Sequence, residues 1–126
     1  MITERTRPVR VAVVGACASG KSTLVDALRL AGYEARHVAQ EHSYVPSMWS
    51  KISQPDVLLY LDVNFANVQA RRPDPSFHPR DLAEQERRLI HARANCDLYI
   101  DTNKLLPDDV RKKSLEFLER LSKIDG

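Results

Sequence analysis

The chain has 126 residues, of which 19 are basic and 17 acidic, so its formal net charge is +2. The length predicts a single small domain, since domains typically have ~100–200 residues, and the near balance of charge argues against a nucleic-acid-binding or membrane-binding surface. Two cysteines are too few for a disulfide framework or a metal cage, and no apolar run approaches the ~18 residues of a membrane span, so we expect a cytoplasmic protein.

The first half of the chain predicts two strands and a helix. Residues 9–16, VRVAVVGA, form a nearly continuous apolar and β-branched run, which is typical of a strand covered on both faces. From Lys21 apolar residues recur at helical spacing until Gly32, a residue suited to the end of a helix. Residues 33–39 predict a short second strand, and residues 40–55 leave room for little more than one helix.

The second half continues this alternation. The runs DVLLYLD (residues 56–62) and DLYIDT (residues 97–102) predict two further buried strands, and an apolar stripe after Pro107 predicts a last helix. Strands that alternate with helices predict an α/β fold, in which helices cover both faces of a parallel sheet through right-handed crossovers. We therefore predict a three-layer architecture in one domain spanning residues 1–126.

The turn between the first strand and the first helix carries the most specific motif. Its letters GACASGKS match G-x-x-x-x-G-K-[ST], the phosphate-binding motif, and stand at the strand-to-helix turn that the motif requires. Glycines let the loop N–H groups turn inward, and the helix N-terminus adds a partial positive charge. Lys21 is expected to contact the β- and γ-phosphates, and Ser22 to bind Mg²⁺. The predicted phosphate-binding residues are Gly15, Ala16, Cys17, Ala18, Ser19, Gly20, Lys21, Ser22 and Thr23.

Asp62 is the candidate for a second Mg²⁺ ligand. It ends the run DVLLYLD and is therefore expected at the carboxyl edge of the sheet, where open α/β sheets bind ligands. This position favours a Walker B aspartate over the alternative, a turn or helix-capping aspartate. Asp101 also ends a strand, but Thr102 and Asn103 follow it as turn formers, so we interpret Asp101 as structural.

Arginines are concentrated in a lid-like segment, residues 71–93, which contains six of the 13 arginines and the breaker-rich loop RRPDPSFHPRD. We predict a short helix before this loop, over about residues 65–72, and a longer helix from Asp81, where Asp81 and Glu84 resemble a capping box. Arginines beside a flexible loop can close on a γ-phosphate and stabilise charge during phosphoryl transfer. The arginines that flank the loop are therefore catalytic candidates, and a solvated, ion-paired helix face is the alternative for the others. These candidates are Arg71, Arg72 and Arg80.

The segment after the second strand, QEHSYVPSMW, suggests how an acceptor could be bound. Glu41 is expected at the same sheet edge as the glycine-rich turn, where a carboxylate can orient or deprotonate an acceptor hydroxyl. Tyr44, Met48 and Trp49 either wall an apolar acceptor pocket or pack as an ordinary amphipathic helix.

Together, GACASGKST, DVLLYLD, the arginine-flanked loop and the tail CDLYIDTNKLLPDDV resemble the small P-loop kinases that phosphorylate nucleosides, nucleotides, shikimate or gluconate. The resemblance spans most of the chain. It implies a P-loop NTPase topology with strands one and three adjacent, ATP and Mg²⁺ as cofactors, a mobile lid, and adenine held near residues 103–107. The implied partner is a small-molecule phosphoryl acceptor, and the sequence is compatible with a monomer or a homodimer.

Three functions remain open at this point. The first is ATP-dependent phosphorylation of a small molecule, with Lys21, Asp62 and Glu41 as catalytic residues beside the arginines. The second is a nucleotide hydrolase or switch, and Gln40 and Gln54 are available to position water. The third is a shortened kinase-like domain that binds ATP without turnover, which the short 40–55 segment suggests.

Overall fold

A four-stranded sheet lies at the centre of the fold in the computed structural model, which describes residues 8–125. All neighbouring strands are parallel, and their order is β2-β1-β3-β4. The strands are β1 (Arg10–Gly15), β2 (Glu34–His37), β3 (Val57–Asp62) and β4 (Leu98–Asp101). The prediction of a parallel α/β sheet is confirmed, as is the expected contact between the first and third strands.

Helices connect the strands. They are α1 (Lys21–Leu30), α2 (Met48–Ser53), α3 (Phe65–Arg71), α4 (Pro79–Arg88), α5 (Ile90–Asn95) and α6 (Pro107–Asp125), and a single 3₁₀ turn spans Gln40–His42. Within residues 8–125, no helix combines the length and the hydrophobicity needed to cross a membrane.

Two apolar cores lie on opposite faces of the sheet. Along β1, Val11 and Val13 pack with Leu28 of α1 and Leu118 of α6, whereas the alternate residues pack against α3, α4 and α5. Because both faces are covered, β1 is almost wholly apolar, and each fully buried aliphatic side chain stabilises the fold by roughly 1.5–3 kcal/mol. The three-layer arrangement is thus present over residues 8–125, and residues 1–7 and 126 of the predicted domain lie outside the described residues.

The predicted capping box of the fourth helix is wrong by three residues. Helix α4 begins at Pro79, so Asp81 is its third helical residue, and the Asp81 carboxylate accepts the backbone N–H of His78 at 2.7 Å. Proline explains the shift, because its fixed φ suits the first helical position and its missing N–H needs no partner there. The helix predicted from Asp81 is also divided, since α4 ends at Arg88 and α5 begins at Ile90.

The strand register brings three chain segments together at the carboxyl edge of the sheet. Gly15 is level with Leu61 of β3, and Val13 is level with His37 of β2. Glu41 lies four residues beyond His37, so the chain leaving β2 passes beside the turn that leaves β1. On the other side, Asp62 is level with Asp101 of β4.

Candidate functional site

The loop that joins β1 to α1, residues 15–23, is called the glycine loop below. A Cβ at Gly15 would lie 2.7 Å from Ser19 Oγ and inside contact distance of the Leu61 carbonyl oxygen, so only glycine fits there. Gly20 has φ 100°, and Ala18 has φ 59°. The left-handed region is open to glycine at Gly20 but costs an alanine roughly 1–2 kcal/mol, so the Ala18 turn has to be stabilised by its surroundings.

The glycine loop leaves several backbone donors available at the start of α1. Among residues 8–125, no acceptor binds the N–H groups of Gly20, Lys21, Ser22 and Thr23, whereas the Ser19 N–H donates to the Ala16 carbonyl at 3.2 Å. The first N–H groups of a helix carry partial positive charge and bind anions. This end of α1 therefore suits a phosphate group.

The Lys21 ammonium is held inside the site by three acceptors. It donates to the carbonyl oxygens of Gly15 at 2.8 Å and Ala16 at 3.0 Å, and to Glu41 Oε2 at 2.7 Å. The Lys21 and Glu41 side chains are 11% and 5% exposed, so the ion pair is almost fully buried. An anion that enters the site must compete with Glu41 for this ammonium.

The two carboxylate oxygens of Glu41 differ in their hydrogen bonding. While Oε2 binds Lys21, the buried Oε1 has no hydrogen-bond partner among the described residues. His42 Nε2 lies 3.8 Å from Oε2, and the Glu41 backbone carbonyl accepts Arg88 Nη1 at 3.3 Å. Because an unpartnered buried carboxylate oxygen is costly, Oε1 is a ready acceptor for a ligand hydroxyl or a cation.

A cavity of about 710 Å³ lies above the glycine loop. Its charged walls are Lys21, Arg71 and Arg72 against the single carboxylate of Glu41, with His37 and His42 nearby. Its far wall is apolar and comes from Leu105, Leu106, Pro107 and Val110. The cavity thus combines an anion-attracting floor with an apolar wall, and its volume is within the ~300–1,000 Å³ of small-molecule pockets.

Arg71 connects the glycine loop to the end of β4. Its Nη1 donates to the Ala18 carbonyl at 2.9 Å and to Thr102 Oγ1 at 3.1 Å, and its Nη2 donates to the Thr102 carbonyl at 2.7 Å. Thr102 is 1% exposed and donates from Oγ1 to the Asp62 carbonyl at 2.7 Å. Arg71 therefore has a structural role at the cavity wall. Arg72 also lines the cavity, whereas Arg80 does not.

Asp62 is not among the residues that line the cavity. Its Oδ1 accepts the Val63 N–H at 3.0 Å, and its Oδ2 accepts the Tyr99 hydroxyl. Burial and this hydrogen bond raise the pKa of Tyr99 to about 12, and burial raises that of neighbouring Tyr60 as well. The structure therefore pairs the Asp62 carboxylate with Tyr99, on the face of the sheet that Tyr60 shares with α3, α4 and α5. Within residues 8–125, no group of three or more His, Cys, Asp or Glu side chains is arranged to hold a metal.

The aromatic segment after Glu41 does not line the cavity either. Tyr44 is 84% exposed and lies under the Arg88 guanidinium, 4.4 Å from the ring centre. Trp49 donates from Nε1 to His91 Nδ1 at 3.1 Å. Trp49 packs against the core on the α3–α5 face, which is the packing alternative for this residue, whereas Tyr44 lies outside α2 and does not pack on the sheet.

Gln85 is a contributor that sequence reasoning missed. It belongs to α4, is 8% exposed, and accepts the Cys17 N–H through Oε1 at 2.9 Å. No motif marks a glutamine for this role. The available signal is its position three residues after Leu82, which places Gln85 on the buried face of the helix.

Comparison of the chain with protein-family models gives no match, and comparison with curated proteins gives none either.

Proposed function

We propose that the protein binds ATP and Mg²⁺ in the cavity above the glycine loop and transfers the γ-phosphoryl group to a small acceptor. The observation that carries this proposal is the buried Lys21–Glu41 pair, in which a lysine at the loop lies 2.7 Å from a carboxylate with one free oxygen. A cation for a phosphate and a base for a hydroxyl are thereby adjacent. That is the pairing needed for transfer of a phosphoryl group to a hydroxyl.

The glycine loop supports the phosphate-binding part of the proposal. Four N–H groups at the start of α1 have no acceptor among the described residues, and Lys21, Arg71 and Arg72 line the same cavity. Donors and cations that converge on one space favour a polyanion over a neutral ligand. The loop follows the first strand of a parallel sheet in which β1 and β3 are neighbours, which supports a P-loop NTPase topology.

Lys21 has to exchange partners when phosphate enters. In the absence of ligand its three donors are used by Gly15, Ala16 and Glu41. A γ-phosphate oxygen is a charged acceptor and can replace Glu41 Oε2 as well as a neutral carbonyl. Release from Glu41 then frees a carboxylate at the moment when the phosphoryl group arrives beside it.

The Ser22 hydroxyl is the side-chain oxygen that we assign to Mg²⁺. Ser22 is exposed in the first turn of α1 and lines the cavity. Mg²⁺ commonly keeps several waters besides the phosphates, so Ser22 would be its protein ligand in this cavity and water and phosphate oxygens would supply the others. When bound, the ion would neutralise charge on the β- and γ-phosphates. Glu41 is the one carboxylate among the described residues that lines this cavity, and we assign its Oε1 to the acceptor rather than to the ion.

In the proposed reaction, Oε1 of Glu41 accepts a hydrogen bond from the acceptor hydroxyl and takes its proton. The hydroxyl oxygen forms a bond to the γ-phosphorus as the bond from that phosphorus to the β–γ bridging oxygen breaks, and ADP leaves with the electron pair. Lys21 follows the transferred group, while Arg72 stabilises the charge on its oxygens. Arg71 holds the cavity wall.

The test is a screen of small hydroxyl and phosphate acceptors with γ-labelled ATP, using wild type and Glu41→Gln. We expect labelled product with at least one acceptor, strongly reduced turnover in Glu41→Gln, and an ATP affinity no weaker than that of wild type, because Glu41 no longer competes with phosphate for Lys21. Arg80→Gln is the matched control because Arg80 lies outside the cavity, and its turnover is expected to be unchanged.

A nucleotide-binding domain without turnover is the second candidate. The observation that favours it is that the Asp62 carboxylate is bonded to Tyr99. Glu41 is therefore the one carboxylate among the described residues that lines the cavity. Slow ATP hydrolysis that no acceptor accelerates and that Glu41→Gln leaves unchanged would replace the kinase proposal with a hydrolase. ATP binding without any turnover would replace it with this second candidate.

A further inference from the structure

The glycine loop contains a conformation that its own residues do not favour. Ala18 has φ 59°, in the left-handed region, although the neighbouring loop contains glycines that adopt such angles freely. A strained non-glycine residue persists only where the surrounding structure holds it. The question is which groups hold the Cys17–Ala18 turn.

One hydrogen bond comes from the helix that follows the breaker-rich loop. Gln85 of α4 accepts the Cys17 N–H at 2.9 Å, across 68 residues of sequence. The side chain is buried, and its helix is anchored by Leu82 and Leu89, which are 5% and 0% exposed. The acceptor is therefore presented from a rigid element.

A second hydrogen bond comes from the helix that precedes the same loop. Arg71, the last residue of α3, donates to the carbonyl oxygen of Ala18 at 2.9 Å. Its guanidinium is fixed by two further bonds to Thr102, a buried residue at the end of β4. The two side chains thus bind the two ends of one turn, the Cys17 N–H and the Ala18 carbonyl.

Helix α4 also holds the opposite wall of the cavity. Arg88 Nη1 donates to the Glu41 carbonyl at 3.3 Å, and the Arg88 carbonyl accepts Gln40 Nε2 at 3.3 Å. Gln40 is completely buried. A single helix therefore contacts both the glycine loop and the turn that carries Glu41.

We propose that Gln85 and Arg71 are positioning residues that hold the Cys17–Ala18 turn in its left-handed conformation, so that the last residue of α3 and helix α4 set the geometry of the glycine loop. The consequence of this coupling for phosphate binding rests on the proposed function, whereas the coupling itself does not. A movement of α4 or of Arg71 would release the turn, and a ligand that changes the turn would in turn favour one position of these two elements.

The test uses the Ser19 amide, which lies one residue beyond the turn and donates to the Ala16 carbonyl at 3.2 Å. Neither Gln85 nor Arg71 bonds this amide, so its hydrogen exchange reports the turn and not the lost contacts. In Gln85→Met and in Arg71→Met, measured by NMR without nucleotide, we expect Ser19 exchange about fivefold or more faster than in wild type, the effect of losing one hydrogen bond.

Gln69→Met is the matched control. Gln69 lies on α3 and donates to the Asp74 and Phe77 carbonyls, so its removal loosens the breaker-rich loop without touching the glycine loop. Ser19 exchange is expected at the wild-type rate in this variant. An increase equal to that in Gln85→Met would mean that general loosening explains the effect and would overturn the proposal.

Ala18→Gly tests the strain directly. Glycine adopts the left-handed conformation without penalty, so Ala18→Gly should slow Ser19 exchange, both in the wild-type background and when added to Gln85→Met. Exchange that Ala18→Gly does not slow in either background contradicts the claim that the turn is strained. Unchanged exchange in both Gln85→Met and Arg71→Met overturns the proposal, and an increase in only one of them overturns the claim that both residues hold the turn.

The result is independent of the proposed function. If the exchange rates behave as expected but ATP does not bind, only the proposed function fails. If ATP binds and Gln85→Met leaves both Ser19 exchange and ATP affinity unchanged, only the present inference fails.

Discussion

Replacing Lys21 should destabilise the protein even without nucleotide. The Lys21 and Glu41 side chains are 11% and 5% exposed and their charged atoms are 2.7 Å apart. Lys21→Met keeps the apolar stem but leaves the Glu41 carboxylate buried without a cation. Removal of one partner from a buried ion pair costs about 3–5 kcal/mol. We expect about 3 kcal/mol, the lower end of this range, because the 11% of Lys21 that is exposed lets water reach Glu41 when the ammonium is removed.

The double variant Lys21→Met/Glu41→Gln separates this effect from lost packing. With the carboxylate neutralised, no buried charge is left unpaired, so the double variant should be more stable than Lys21→Met alone although it carries one more substitution. Urea unfolding of the wild type, Lys21→Met, Glu41→Gln and the double variant, at constant m-value, gives the four free energies of unfolding of this double-mutant cycle.

Lys112→Met is the control, since Lys112 forms an exposed ion pair with Asp108 at 3.3 Å. Its loss should cost no more than about 0.5 kcal/mol. The reasoning fails if Lys21→Met is as stable as Lys112→Met, or if the double variant is less stable than Lys21→Met.

Three further predictions concern the edge of the sheet. Bound ATP should slow the alkylation of Cys17, which lies in the glycine loop, and Cys96 serves as the internal reference. The rates are measured by peptide mapping. Equal Cys17 rates with and without ATP would mean that the nucleotide binds elsewhere. Asp62→Asn should leave the Mg²⁺ dependence of ATP affinity unchanged. It should cost about 1 kcal/mol of stability because the hydrogen bond to Tyr99 is weakened. Calorimetry that finds a weakened Mg²⁺ dependence in this variant would indicate that Asp62 is a Mg²⁺ ligand. The pKa of Tyr99 is raised from 10.0 to about 12. The stability that its hydroxyl adds should therefore be present below pH 10 and lost between pH 10 and 12. A stability difference between wild type and Tyr99→Phe that stays constant over this range would contradict the assigned pKa.

Features encoded by local patterns were predictable from the sequence. The apolar run that became β1 is buried on both faces, and such strands need no partner information to be recognised. The position of Glu41 also followed from simple geometry. Because the carboxyl ends of parallel strands meet at one edge, a residue just after β2 lies near the loop just after β1.

Features that depend on distant partners were not predictable. Asp62 ends a strand as expected, but its carboxylate is bound by Tyr99, which is 37 residues away on β4. The sequence contains no signal for that bond. The bond between Gln85 and Cys17 spans 68 residues and belongs to no motif. In both cases the deciding contact arises only when helices and strands have packed.

Calorimetric titration of the wild-type protein with Mg-ATP shows whether the glycine loop binds nucleotide. We expect saturable binding at one site, weakened by about 10- to 100-fold in Lys21→Met/Glu41→Gln, the scale of a lost charge-assisted contact. This double variant lacks the cation that we propose binds phosphate but leaves no buried charge unpaired, and Lys112→Met should bind as the wild type does. Absence of binding to wild type, or equal affinity in the double variant, would contradict a nucleotide site at the glycine loop.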